Sequence, residues 1–292
     1  MTKVERSKDA DGENFPVGSC LIPPPLRKHV AAFYDYARTA DDIADSPILS
    51  SDEKIEKLKV IEDVLTGIRL PDAETLCADK LRESLKETGV TAEHALDLLK
   101  AFRMDAVGQT YNTWTDLMTY CRWSAGSVGR FMLDLHGENP TAYWPSDAVC
   151  AALQLNNHLQ DCKDDFLTRN RVYLPADWMK EEGVSPNALT AERETPALRR
   201  VFDRMTAGID GLLVEGSSLP MIIRSRGLRM EVCVIFRLAQ KLVRRLKKND
   251  LLTRKVELTK PDWLFAGARG IFDGITRKKI SCLNKRDLSE KK

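Results

Sequence analysis

A helical apolar period runs through nearly the whole chain and limits what it can become. From residue 26 to residue 44 the side chains of Val30, Phe33, Tyr34, Ala37 and Ala40 recur at spacings of three and four, which puts them on one side of a helix. Pro23-Pro24-Pro25 stiffens the chain just before this segment and permits a helix to start, and Ser46-Pro47 closes it. The same period predicts helices over 55–65, 78–87, 92–111, 115–135, 146–168, 196–213, 228–247 and 261–276. Short polar or Pro/Gly stretches separate them, among them Pro71-Asp72, 136–140 and 182–186. No convincing run alternates as a half-buried strand does, so the fold class is all-α.

A linker rich in Gly, Ser or Pro is absent from the middle of the chain, and no period of 20 to 50 residues repeats. One helical domain over 21–280 is the simplest organisation, between a polar, loosely ordered segment at 1–20 and a basic tail at 281–292. The formal net charge of +2 argues against a protein that coats nucleic acid. Charge is unevenly placed, however: from Lys241 onward sixteen Lys and Arg stand against six Asp and Glu. Such a basic end is usually a solvated face, but it can also sit near anionic lipid or a diphosphate.

Seven scattered cysteines with no Cys-x-x-Cys pair predict free thiols in a reducing compartment. The first 18 residues carry charges throughout, and no apolar stretch approaches 18 residues. The expectation is therefore a cytoplasmic protein with neither signal peptide nor membrane span. The segment 261–276 carries an apolar stripe of Leu264, Ala268, Ile271, Phe272 and Ile275, followed by Arg277-Lys278-Lys279. Core packing is the first expectation for that stripe; the alternative is peripheral contact with the inner face of a membrane.

Two Asp-x-x-x-Asp motifs, Asp41 with Asp45 and Asp161 with Asp165, carry the chemistry. Alone they are weak, since on the order of two would arise by chance at this Asp content. Their neighbours strengthen them. Tyr34, Arg38, Asp41 and Asp45 are spaced four, three and four, within an arc of about 60° on a helix. Gln154, Asn157, Asp161 and Asp165 fall within about 80°. A single such stripe would most simply face water, whereas two facing stripes would supply the oxygens a hard dication needs. Mg²⁺ in particular is held by one or two carboxylates plus substrate phosphate. Metal ions between the carboxylates would let an acidic cluster bind a diphosphate and make it a better leaving group. Arg38 and Arg171 would add direct contacts to phosphate oxygens. Departure of the diphosphate leaves a cation that a dry pocket with aromatic faces can hold. Glu-x-x-His and His-Glu-x-x-His are missing, which disfavours di-iron and zinc sites. His158 lies one position off the second stripe and is expected to be structural.

These residues carry a resemblance. The stretch from Phe33 to Asp45 matches the Tyr-x-x-x-Arg-x-x-Asp-x-x-x-Asp pattern of the squalene and phytoene synthase family of head-to-head prenyl synthases. The stretch from Gln154 to Asp165, followed by Arg171-Val172-Tyr173-Leu174-Pro175, matches the second pattern of that family, and the stretch from Tyr120 to Gly129 is similar to its Tyr-Cys segment ending in Ala-Gly-x-Val-Gly. Glu13 to Val17, Ala40 to Asp45 and Asn157 to Cys162 look most like the bacterial hydroxysqualene synthase branch.

The resemblance spans roughly residues 13–240. It implies a class I isoprenoid synthase bundle around a central cavity, and a Mg²⁺-dependent lyase that converts presqualene diphosphate and water to hydroxysqualene without NADPH. A presqualene diphosphate synthase would then be a functional partner. Carried over by position, Asp41, Asp45, Asn157, Asp161 and Asp165 would serve Mg²⁺. Tyr34, Arg38, Gln154, Arg171, Tyr173 and Asn14 would touch the diphosphate or line its approach, and Tyr120 would face the cation. Relatives place a basic, hydroxyl-rich stretch where this chain has Glu13-Asn14, which weakens the case for contacts from there. For Gly126 and Gly129, close helix packing and a cavity-lining role both stay open. The alternatives are another family member that condenses two prenyl diphosphates, and a non-catalytic helical scaffold.

Overall fold

The computed structural model describes residues 21–277 and 279–281. The segment 1–20, with Asn14, and all but the first residue of the tail 281–292 lie outside the described residues.

Among the described residues the secondary structure is helical throughout, with no strand. Helix α1 (Pro24–Asp45) starts on its own prolines, which need no amide partner in a first turn, and buries Val30, Phe33, Tyr36, Ala40 and Ala44. Helix α2 (Ser51–Thr66) opens on a capping box between Ser50 and Glu53 and ends at left-handed Gly67. Helices α3 (Leu76–Thr88) and α4 (Glu93–Ala106) complete a first layer around Leu58, Ile61, Leu81 and Leu99, all fully buried. Each such side chain contributes about 1.5–3 kcal/mol relative to leaving it in water. The predicted helix 92–111 stops five residues early. Gly108 takes φ +63°, the chain turns, and Tyr111 folds back into the interior.

The predicted helix 115–135 is interrupted. Helix α5 (Trp114–Cys121) passes through a π-helical turn (Arg122–Gly126) into α6 (Ser127–Leu135). Ser124 and Ser127 hydroxyls donate to the carbonyls of Tyr120 and Ser124, satisfying acceptors that the widened turn loosens. Helix α7 (Tyr143–Arg169) runs alongside α6, and Gly129 sets the spacing. A Cβ there would come within 2.6 Å of Cys150 Sγ and 2.7 Å of Ser146 Oγ. Close helix packing therefore accounts for Gly129. Arg130 locks the same pair with a two-pronged bond to Asp147, at 2.9 and 2.5 Å.

Two short helices escaped the periodicity, α8 (Ala176–Glu181) and α10 (Leu219–Ile222), because they are too brief to show one. Helices α9 (Pro196–Gly216) and α11 (Arg226–Leu246) pack with α5 and α7 around Leu155, Leu159, Phe202 and Phe236. Met132 of α6 packs against this second core and against the first. The described cysteines are free thiols.

Helix α12 (Lys260–Thr276) reverses the expectation for its stripe. It lies on α11 through Ala266, Gly270 and Gly274, and a Cβ at Gly270 would meet the Val234 backbone at 2.5 Å. Small residues bring the two backbones together, so the large apolar side chains point outward. Leu264, Ile271, Phe272 and Ile275 are exposed.

Candidate active site

The stripes on α1 and α7 are neither solvent faces nor core: Tyr34, Arg38, Asp41 and Asp45, like Gln154, Asn157, Asp161 and Asp165, are half-buried. They meet at their C-terminal ends. Arg169 Nε lies 3.2 Å from Asp45 Oδ2 and its Nη1 lies 3.2 Å from Asp165 Oδ1, so one guanidinium spans both motifs. Asn170 caps α7 in the left-handed conformation, φ +53°, and turns the chain so that Arg171 points back toward α1. Arg171 donates to Asp45 Oδ1 at 2.5 Å, to the Ala44 carbonyl at 3.1 Å and to the Asp105 carbonyl at 3.0 Å. A cation at the last turn of α1 also complements the helix dipole.

The other cations are similarly placed. Arg38 spans Asp41, at 3.0 Å, and Asp42, at 2.8 Å. Lys255, in the segment before α12, pairs with Asp161. Burial, and after it the charge of Asp45, raises the Asp41 carboxyl above its ordinary range. Burial, then Asp161, pushes Asp165 up to about 6. Half-buried carboxylates that repel one another favour added positive charge. Among the described residues no three His, Cys, Asp or Glu side chains converge on one point. Aspartate oxygens are the donor type that Mg²⁺ takes, with its other ligands from water and phosphate.

Beside the acidic residues stands an aromatic cluster that hangs on Asp105, a residue that the motif spacing does not single out. Tyr120 donates to its Oδ2 at 2.8 Å and Tyr173 to its Oδ1 at 2.7 Å, all three side chains being buried. Tyr111 lies with ring centroids 5.2 Å from Tyr120 and 5.8 Å from Tyr173, and His158 stacks on Tyr173 at 3.7 Å. The signal for Asp105 was available, since it follows Leu98, Ala101 and Phe102 on the apolar side of α4, where a carboxylate needs a reason. Burial pushes Asp105 up to about 6, against the opposing pull of Arg171 and the two tyrosine hydroxyls. Burial holds both tyrosines well above their usual pKa, so they stay protonated donors. His158 is pushed down to about 3 by burial and then by Arg171. It is therefore neutral, with its Nε2 3.3 Å from the Gln154 amide.

Arg169 and Arg171 thus join Asp45 and Asp165 in linked ion pairs at the ends of α1 and α7, while Arg38 holds Asp41 one turn earlier on α1. Asp161 lies on the α7 stripe, paired with Lys255. Tyr120 and Tyr173 belong to the adjoining aromatic cluster. The squalene/phytoene synthase sequence profile matches residues 9–262. The chain belongs to the squalene/phytoene synthase family.

Every candidate residue lies within the part of the chain that the family covers. A hydroxysqualene synthase of Rhodopseudomonas palustris is 41% identical over 277 residues, covering 95% of this chain and 94% of its own. One from Sinorhizobium fredii is 42% identical over 267 residues, covering 91% and 90%. Among solved structures, squalene synthase HpnC from Alicyclobacillus acidocaldarius superposes with a TM-score of 0.72 at 28% identity, over 82% of this chain and 90% of that one. The isoprenoid synthase helical fold expected from the sequence is the one observed. Among the described residues no helix is long and apolar enough to cross a membrane.

Proposed function

We propose that this chain is a hydroxysqualene synthase, a Mg²⁺-dependent lyase that ionises presqualene diphosphate and lets water capture the rearranged cation, releasing hydroxysqualene and diphosphate. The observation that carries the proposal is the convergence of Asp45 and Asp165 on Arg169, with Arg171 beside them and the aromatic cluster adjacent. The likeness to hydroxysqualene synthases over more than nine-tenths of the chain supports the choice of branch.

In this proposal Asp41, Asp45, Asn157, Asp161 and Asp165 hold Mg²⁺, which when bound draws electron density from the diphosphate and eases its departure. Arg38 and Arg171 bind phosphate oxygens, and Tyr34 and Gln154 orient the diphosphate. The ring faces of Tyr111, Tyr120 and Tyr173 stabilise developing positive charge. His158 serves because it is neutral: an imidazolium in the stack would repel a carbocation, and burial forbids one. The substrate's chemistry requires a preceding enzyme that joins two farnesyl units into presqualene diphosphate.

Purified protein incubated with Mg²⁺ and presqualene diphosphate, without NADPH, should yield hydroxysqualene. Coupling of farnesyl diphosphate, or a product that forms only with NADPH, would instead make it a condensing or reducing member of the family.

A further inference from the structure

The outward face of α12 is chemically one-sided. Leu264, Ala268, Ile271, Phe272, Ile275 and Phe265 span an arc of about 120° on the helix. Leu264 is 73% and Phe265 75% exposed. The two acidic residues of α12 are both turned inward. Asp262 pairs with Arg245 and with Lys241, the latter at 3.3 Å, and Asp273 pairs with Arg237 at 2.6 Å and with the stem end of the exposed Arg269 guanidinium, Nε, at 3.3 Å. What remains outside is positive: Lys260 and Arg269 border the apolar arc, and Arg277 and Lys279 follow it, all exposed. An ordinary surface helix buries its apolar arc and exposes its charges. Here the protein buries the acids and the small residues and offers large apolar side chains inside a cationic rim.

We propose that α12 is a membrane-docking surface that lies in the interface of an anionic bilayer, its apolar arc among the acyl chains and Lys260, Arg269, Arg277 and Lys279 at the lipid phosphates. The occupant follows from charge complementarity. A second copy of this face would bring cationic rims together with no exposed acid on α12 to pair them, whereas anionic headgroups satisfy that rim and the acyl region takes the apolar arc. The inference stands on the surface of α12 alone and does not depend on the reaction proposed above.

Sedimentation of the full chain with vesicles, in the absence of substrate, tests it. Wild type should pellet with an equal mixture of phosphatidylcholine and phosphatidylglycerol, less with phosphatidylcholine alone, and less again as salt is raised. The double variant Phe265→Glu with Phe272→Glu changes only exposed side chains, so circular dichroism should match wild type, while the bound-to-free ratio on anionic vesicles falls by about tenfold or more. Equal pelleting of wild type and the double variant would assign binding to the basic tail and overturn the proposal. Wild type that ignores anionic vesicles would overturn it too, as would a dimer in solution that the double variant abolishes without any vesicle binding.

Discussion

Asp45 at the end of α1 and Asp165 near the end of α7, 120 residues apart in the chain, lie within 3.2 Å of opposite edges of one guanidinium, that of Arg169. Two acidic stripes that could each have faced water are therefore a single electrostatic unit. Its carboxylates are held by Arg38, Arg169, Arg171 and Lys255, and a dication with its phosphate would have to compete with those cations for the same oxygens.

Asp41→Asn and Asp161→Asn keep side-chain shape and remove one negative charge each. Turnover of presqualene diphosphate should fall by on the order of 10²-fold or more in either variant, since each removes an anchor for charge that assists departure of the diphosphate. Helix content by circular dichroism should be unchanged. Wild-type turnover in both would show that the stripes are surface decoration.

Arg169 is exposed and pairs with both Asp45 and Asp165, so a metal ion at these carboxylates would have to compete with it. In Arg169→Gln, Asp45 and Asp165 lose a neutralising partner worth roughly 0.2–1 kcal/mol per pair, so Mg²⁺ should bind a few-fold more tightly. A titration followed by thermal shift reads this directly, because a ligand of the native state raises its melting temperature in proportion to ln(1 + [L]/Kd). The same Mg²⁺ response in both proteins would place the metal away from this pair.

The sequence makes much of this site legible, because stripes of Tyr, Arg and Asp at three and four spacing report a helix face whatever surrounds it. It cannot show how far two such faces lie apart, and the bond from Arg171 to Asp45 depends on the left-handed turn at Asn170. At Asp105 the sequence shows an acid on the apolar side of α4 but not what that acid holds. Its meaning comes from Tyr120 and Tyr173, brought to it by chain reversals at Gly108 and Asn170 that have no periodic signature. In α12 the large apolar residues form the visible stripe, but Gly270 and Gly274 decide which side meets α11.

Asp105→Leu would leave two buried tyrosine hydroxyls without an acceptor. An unsatisfied buried polar group costs about 1–3 kcal/mol, so the variant should lose roughly 2–5 kcal/mol in urea unfolding. Adding Tyr120→Phe and Tyr173→Phe should recover most of that loss, since removing both ends of a buried hydrogen bond costs far less than removing one. If the triple variant is no more stable than Asp105→Leu alone, Asp105 acts through Arg171 or through packing and not through the two hydroxyls.

Glu231 of α11 is 5% exposed, and its Oε2 has no hydrogen-bond partner. Burial alone pushes its carboxyl from 4.5 up to about 7. Between those values the folded chain holds a proton that the unfolded chain has released. Stability therefore declines as pH rises through this window and stays lower above it. Glu231→Gln has the same shape and never ionises. Its advantage over wild type should be absent near pH 4.5 and should grow to at most about 3 kcal/mol above pH 7, at 1.36 kcal/mol per pKa unit. Thermal denaturation of both proteins at pH 5 and pH 8 measures the difference. A gap that does not change with pH would mean that Glu231 is ionised in the folded protein and that its orphaned oxygen is paired by water.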